Sequence, residues 1–388
     1  MFYKFLGISI SFLCPALNAE IIGEYSFDNR YFFNSGLQGQ EKNHSSFTLS
    51  PEIFLENENS IFHFKPKFRK DNIDTERNLV DVQELYLINI LEDKEIKYGV
   101  SKEFWGVTET THRVDIINQT DAVESLDGED KLGQPMVKLS FEENWGLLDF
   151  YALLGFRERT FSGYEGRLRQ TMIVDSDRPH YLSAAKNKRM DFALRWSNYF
   201  DQLEVAISHF SGTSREPRFI VSNKNLKELV PLYEVIDQTG FEFQYLLGSL
   251  AIKSEIISRS GQEDRFTAAT YGFEYTQVGI FGSRLDLGWI LEANHDDRLP
   301  SSPAVIGTRL TINDTSDTQI LSGIIYDEKS EELGFLLEAS SRLGICCSIS
   351  IEGFYFDDTN EDNEEFKLFQ AYKEDDFLRF ELTYYLGD

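Results

Sequence analysis

Apolar and polar residues alternate with a period of two along most of this chain, and the pattern is clearest at its end. From Phe377 to Leu386, Leu378, Phe380, Leu382, Tyr384 and Leu386 share one face, while Arg379, Glu381 and Thr383 share the other. Side chains alternate across a strand, so this segment predicts a strand with an apolar, aromatic face and a charged back. The same rhythm recurs upstream. Phe47, Leu49, Ile53 and Leu55 oppose Thr48, Ser50 and Glu52, and Phe62, Phe64 and Phe68 oppose His63, Lys65, Lys67 and Arg69. Leu148, Phe150, Ala152, Leu154 and Phe156 oppose Asp149, Tyr151 and Arg157. Phe192, Leu194 and Trp196 back onto Ala193, Arg195 and Ser197, and Phe241, Phe243, Tyr245 and Leu247 onto Glu242 and Gln244. Leu285, Leu287, Trp289 and Leu291 back onto Asp286, Gly288 and Glu292, and Ile345, Cys347, Ile349 and Ile351 onto Ser348, Ser350 and Glu352. So many two-residue periods predict about eighteen strands, sixteen to eighteen being the plausible range, in an all-β chain.

Met1 to Ala19 reads as a secretory leader, with Lys4 as the charged start, Phe5 to Leu13 as the apolar stretch and Leu17-Asn18-Ala19 before the cut. Residues 20–388 then form one domain. No apolar run after Ala19 approaches the ~18 residues a membrane helix needs. Charged residues make up 27% of the chain and aromatics 14%, including 32 Phe and 18 Tyr. That composition excludes a helical membrane bundle. It fits a transmembrane antiparallel up-and-down β-barrel, apolar toward lipid, polar toward the lumen and girdled by rings at both interfaces. The expected location is the outer membrane of a Gram-negative cell.

The net charge of −27 disfavours nucleic acid and anionic lipid as partners. Expected partners are outer-membrane lipids, lipopolysaccharide approached through divalent cations held by the acidic loops, the barrel assembly machinery and a small hydrophilic solute. Cys346 and Cys347 are neighbours and read as structural. Long segments at 102–134, 158–188 and 211–234 fall at alternate connections, so all three lie on one side of the membrane, as outer lids or as plugs folded into the barrel. The stretch 358–375, containing Phe366-Lys367-Leu368-Phe369, must be a loop if the strand count is to be even.

Three loop motifs resemble a broad, largely uncharacterised group of proteobacterial outer-membrane porin-like proteins. They are Phe104-Trp105-Gly106 followed by Val114-Asp115-Ile116-Ile117-Asn118-Gln119-Thr120-Asp121, then Gly212-Thr213-Ser214-Arg215-Glu216-Pro217-Arg218, and Gly272-Phe273-Glu274-Tyr275-Thr276. Gln119 stands where such proteins commonly carry Pro, and the chain ends Leu386-Gly387-Asp388 where they usually finish on Phe or Trp. The resemblance implies a porin barrel and says little of its solute.

Inward charges carry the functional expectation. On the strand phases Lys138, Arg157, Arg195 and Arg309 point inward, with Asp149, Glu242, Lys253, Glu255, Asp286, Glu292 and Glu338. Arg157 and Arg195, the loop arginines Arg167, Arg169 and Arg178, and Arg215 and Arg218 would form a positive wall facing Glu242, Glu274 and Glu292. Such a wall selects solutes by charge and favours carboxylates or zwitterions. The competing reading is that Arg215 pairs with Glu216 and the other arginines pin loops to acids. The expected function is passive diffusion of small hydrophilic, carboxylate-bearing solutes, with a surface-binding barrel as the alternative. Asn294-His295-Asp296-Asp297 and Asp357 to Asp362 are rich in oxygen donors but lack the spacing of a calcium loop. Ser208-His209 side chains diverge on a strand and no Gly-x-Ser-x-Gly accompanies them, so no catalytic residue, cofactor or metal is expected.

Overall fold

The computed structural model describes residues 18–357 and 369–387. Residues 1–17 of the expected leader, residues 358–368 of the uncertain stretch and most of the Asp357 to Asp362 motif therefore lie outside the described residues, while Asn18 and Ala19 belong to the first strand. Counting the barrel strands alone, the order is β1 (Asn18–Phe32), β2 (Asn43–Asn57), β3 (Ser60–Asp71), β4 (Leu79–Leu91), β5 (Lys94–Ser101) and β6 (Gln134–Glu143). These are followed by β7 (Gly146–Leu154), β8 (Met190–Phe200), β9 (Leu203–Thr213), β10 (Val235–Leu247), β11 (Leu250–Ser260) and β12 (Phe266–Gln277). The last six are β13 (Asp286–Asp296), β14 (Ala304–Thr311), β15 (Gln319–Tyr326), β16 (Leu333–Leu343), β17 (Cys347–Asp357) and β18 (Phe377–Leu386). Each strand pairs antiparallel with its neighbours in sequence, and β18 pairs with β1 from Gly23↔Leu386 to Phe32↔Phe377. The 18-stranded sheet is closed, so no backbone edge is left unpaired. Closure is what permits a sheet to stand in lipid, where nothing else would satisfy an edge.

The outward face carries the apolar half of the alternation. On β18, Leu378, Phe380, Leu382, Tyr384 and Leu386 are all exposed, whereas Thr383 is buried inward. Tyr25 of β1 stacks on Tyr384 with ring centroids 4.9 Å apart, so the seam is sealed by outward aromatics. Two-residue turns at 58–59, 92–93, 144–145, 201–202 and 248–249 occupy the same end as the two strand termini. The long connections 102–133, 155–189 and 214–234 all leave the opposite end.

Three local expectations change. Residues 211–213 belong to β9 rather than to a loop. Phe156 and Arg157 lie beyond the end of β7, where Phe156 is buried against Tyr181 and Tyr233, because the chain leaves the wall at Gly155 with φ +86. Cys346 sits in the turn before β17, so only Cys347 belongs to a strand. The described residues 369–376 form turns and no strand.

Candidate functional site: a loop across the lumen

The connection 102–133 enters the barrel, and its first turns show why it stays there. The Asn118 amide donates to the carbonyls of Ser101 and Leu132, both at 2.9 Å, and its oxygen accepts from the Glu103 N–H at 2.8 Å, which closes the neck of the loop. Asp115 accepts from the Trp105 N–H at 3.4 Å and pairs with Lys131 at 3.0 Å. The Asp-x-x-Asn spacing thus ties both limbs of one loop. Trp105 packs edge-on to Tyr151, and Val114, Ile116 and Ile117 are buried with Phe210, Ile236 and Ile257 from the wall. The barrel holds a hydrophobic core on one side of its interior.

A loop inside such a core must satisfy its backbone donors. Two wall carboxylates do this. Glu255 accepts from the N–H groups of Val107, Thr108 and Val114 at 2.8, 3.0 and 3.2 Å and from the Thr108 hydroxyl at 2.6 Å. Glu292 accepts from the Glu109 and Thr110 N–H groups at 2.8 and 2.9 Å and from the Thr110 hydroxyl at 2.7 Å. Gly106, at φ +142, passes so close that a Cβ there would stand 2.8 Å from Glu255 Oε1. That approach explains the glycine of the Trp-Gly motif.

The far limb crosses to the opposite wall. Glu124 pairs with Arg69, with Arg77 at 3.5 Å and with Arg379 at 3.4 Å, and its carbonyl accepts from Arg30. Asp121 adds a contact to Arg69 at 3.3 Å. Burial alone would raise the Glu124 carboxyl, but Arg69, Lys67, Arg77 and Arg379 hold it well below the usual carboxylate range. Between the limbs, His112 stands 3.7 Å from both Glu129 and Glu255. Burial opposes its charge, yet the two acids outweigh that effect and hold the imidazole up at about 9. The loop is a crossbar from β1, β3 and β18 to β11, β13 and β14, its last contact there being Glu109 with Arg309.

The residues expected from the sequence to line a pore are placed as follows. Arg195 forms a bidentate pair with Glu242 at 2.9 and 2.8 Å, and Arg157 one with Asp81 at 3.1 and 2.9 Å. Arg167 is buried at the outer end against Asp375, the Asn34 and Glu41 carbonyls and the Phe32 ring. Arg169 donates to Gln38 and to nearby carbonyls. Arg215 is buried between Phe156 and Phe210 and donates to Ile117, Thr213 and Asp191, whereas Glu216 pairs with Arg259 and Arg298. Arg215 and Glu216 therefore do not pair with each other. Arg218 reaches Glu234 and Glu263, and Arg178 reaches Asp175 and Glu228. Glu274 accepts from Lys253 at 3.0 Å and Arg309 at 3.2 Å. These arginines stand in separate pairs. Sequence reasoning missed the cluster of Arg30, Arg69, Arg77 and Arg379, which the seam between β1 and β18 and the turn after β3 bring together.

The interior is divided in two. Glu242, Glu255 and Glu292 are at most 2% exposed, because the crossbar packs on their side. Inward side chains on β1, β3 and β18, toward the end with the short turns, stay partly exposed, with Glu24 at 38%, Lys65 at 24% and Glu381 at 25%. Above them, loops 155–189 and 214–234 join in a small sheet. Arg218–Val221 pairs with the strand Glu228–Tyr233, which also takes Ile173–Val174 and His180–Tyr181 in parallel.

No protein-family model matches the chain, and no curated protein matches it. Solved structures do. A BenF-like porin from Pseudomonas fluorescens Pf-5 is similar over 96% of this chain and 99% of its own, at 9% identity and a TM-score of 0.56. OpdQ of Pseudomonas aeruginosa is similar over 97% and 99%, at 10% identity and 0.55. Wzi of Escherichia coli, an outer-membrane protein described as a carbohydrate-binding β-barrel involved in capsule assembly, is similar over 95% and 84%, at 10% identity and 0.54. At such identities the likeness is one of architecture, and the chain has the 18-stranded barrel fold of outer-membrane porins.

Proposed function

We propose that the protein is a passive channel of the outer membrane for small hydrophilic solutes. The observation that carries this reading is the wet sector of the lumen, where charged side chains point inward and remain partly exposed although the barrel is closed around them. The crossbar fills the other sector and so narrows the passage without packing it shut at these residues. Charged walls of this kind admit polar solutes and sort them by charge and size. A specific preference for carboxylates would need guanidinium donors free for the solute, and each arginine proposed for that wall already has an acid or carbonyl partner. Lipopolysaccharide around the belt and the assembly machinery remain part of the proposal.

Planar-bilayer recording tests the reading. Purified protein is expected to give discrete conductance steps, and removal of residues 106–131 to enlarge them. A second reading, a binding barrel without transport, is favoured by the ordered sheet of loops over the mouth and by the carbohydrate binding stated for Wzi. Absence of steps from both the intact and the loop-deleted protein would put that reading ahead.

A further inference from the structure

We infer that Glu338 gives the wet half of the lumen a preference for small organic cations, an inference that rests on the channel reading above. Glu338 and Glu352 point inward from directly opposed positions on β16 and β17. Like charges in such a cross-strand position are destabilising. Where they recur in the lumen, as at Glu242 opposite Glu255 and Lys97 opposite Lys138, opposite charges answer them: Arg195 and His112 for the acids, Glu103 for the lysines. Arg195 answers Glu242, Lys253 answers Glu274, and Lys138 stands 3.7 Å from Asp149. Glu352 has Arg379 at 3.4 Å, but Glu338 makes no hydrogen bond or ion pair among the described residues. Its main electrostatic neighbours are Glu352, Asp127, Glu129 and Glu109, all acids.

The side chain is half-buried, and its neighbour Glu352 shares Arg379 with Glu381 of the wet sector. No protein cation among the described residues is therefore left for Glu338, and a counter-ion for its charged form comes from solution. Nearby the crossbar supplies a matching surface. Glu129 is 62% exposed, with His112 as its ion-pair partner, and the Phe104 ring, 61% exposed, stands 4.7 Å from the same imidazole. A large exposed apolar ring beside Glu129, itself an electrostatic neighbour of the unpaired Glu338, suits an ammonium group carried on an apolar body. The acids take the charge and the ring takes the body or the cation itself. On β3, Lys67 makes no ion pair among the described residues and supplies a control of opposite sign.

The test is the reversal potential of wild-type and variant channels in a KCl gradient, with heat-modifiable migration confirming that each barrel is folded. Wild-type protein is expected to favour K⁺. Glu338→Gln should lower the K⁺/Cl⁻ permeability ratio by about twofold or more, Glu338→Lys should shift it toward Cl⁻, and Lys67→Gln should raise it. With benzylammonium chloride replacing KCl, Phe104→Ala should lower the permeability of the organic cation relative to K⁺. Channels that conduct with the same ratio in both Glu338 variants overturn the inference and leave the channel reading standing. An unchanged benzylammonium permeability in Phe104→Ala removes the aromatic part. Absence of conductance from both the wild-type protein and the protein lacking residues 106–131 defeats the channel reading, and this inference falls with it.

Discussion

At the residue scale, the tightest constraint is the contact of Glu124 with Arg69, Arg77 and Arg379. Removing one partner of a buried ion pair leaves the other charged and unsolvated, which costs about 3–5 kcal/mol. Glu124→Gln is therefore expected to lower barrel stability by an amount of that order, read as a lower urea midpoint by tryptophan fluorescence. Because the carboxyl is held well below its ordinary range, the contact should survive mild acid. His112 behaves in the opposite sense. Its charge is favoured in the folded loop, so its contribution is complete below the ordinary histidine value near 6.5 and is lost as pH rises through about 9. Channel noise from the crossbar is expected to grow between neutral pH and pH above 9, and His112→Gln should be noisy throughout. A wild-type trace with the same noise across that range would remove His112 from the contacts that steady the loop.

At the element scale, the crossbar and the wall are separable. The strands pair without help from the loop, whereas the loop is ordered by Trp105, by the Asn118 neck and by the acceptors Glu255 and Glu292. Trp105→Ala removes a large buried ring from the interior core, at a cost of about 3–5 kcal/mol for such a truncation. The expected result is a folded barrel with a mobile loop, seen as larger and more variable conductance together with early proteolysis within 102–133. Arg215→Lys tests the loop at 214–234. A lysine cannot reproduce a guanidinium held between two rings and bonded to three acceptors, so the outer cap should loosen. Protease cleavage between 214 and 234 that matched wild type would show that the cap does not depend on this contact.

At the scale of the whole molecule, closure governs behaviour. Eighteen paired strands with an apolar outer face leave no edge from which unfolding can begin in lipid. The protein is expected to migrate faster on gels before boiling than after, and to keep that property when residues 106–131 are deleted. Loss of the compact form in the deletion would make the interior core part of the barrel's stability rather than an occupant of it. The division into a dry and a wet sector is also a property of the whole, since it is set by where the loop between β5 and β6 comes to rest against strands of both walls.

The alternation of residues was enough, without any coordinates, to read the closed barrel, the strand count, the outward face of β18 and the side from which the long loops leave. Each of these follows from a period of two within one strand and from the lengths between strands. The Asp115 and Asn118 motif was visible as a pattern, though its work in closing the loop neck was not. Pairing across the lumen was decided by the tertiary structure. Arg195 could be placed inward by phase, but only register put Glu242 within reach of it. Arg69 and Arg379 could be placed on the polar face by phase, but nothing local joined them to Arg30 and Arg77, because their common partner Glu124 arrives on the loop between β5 and β6. Alternation specifies which way a side chain points. Which charge it meets depends on strand stagger and on where a folded loop comes to rest, and both are set by the closed barrel as a whole.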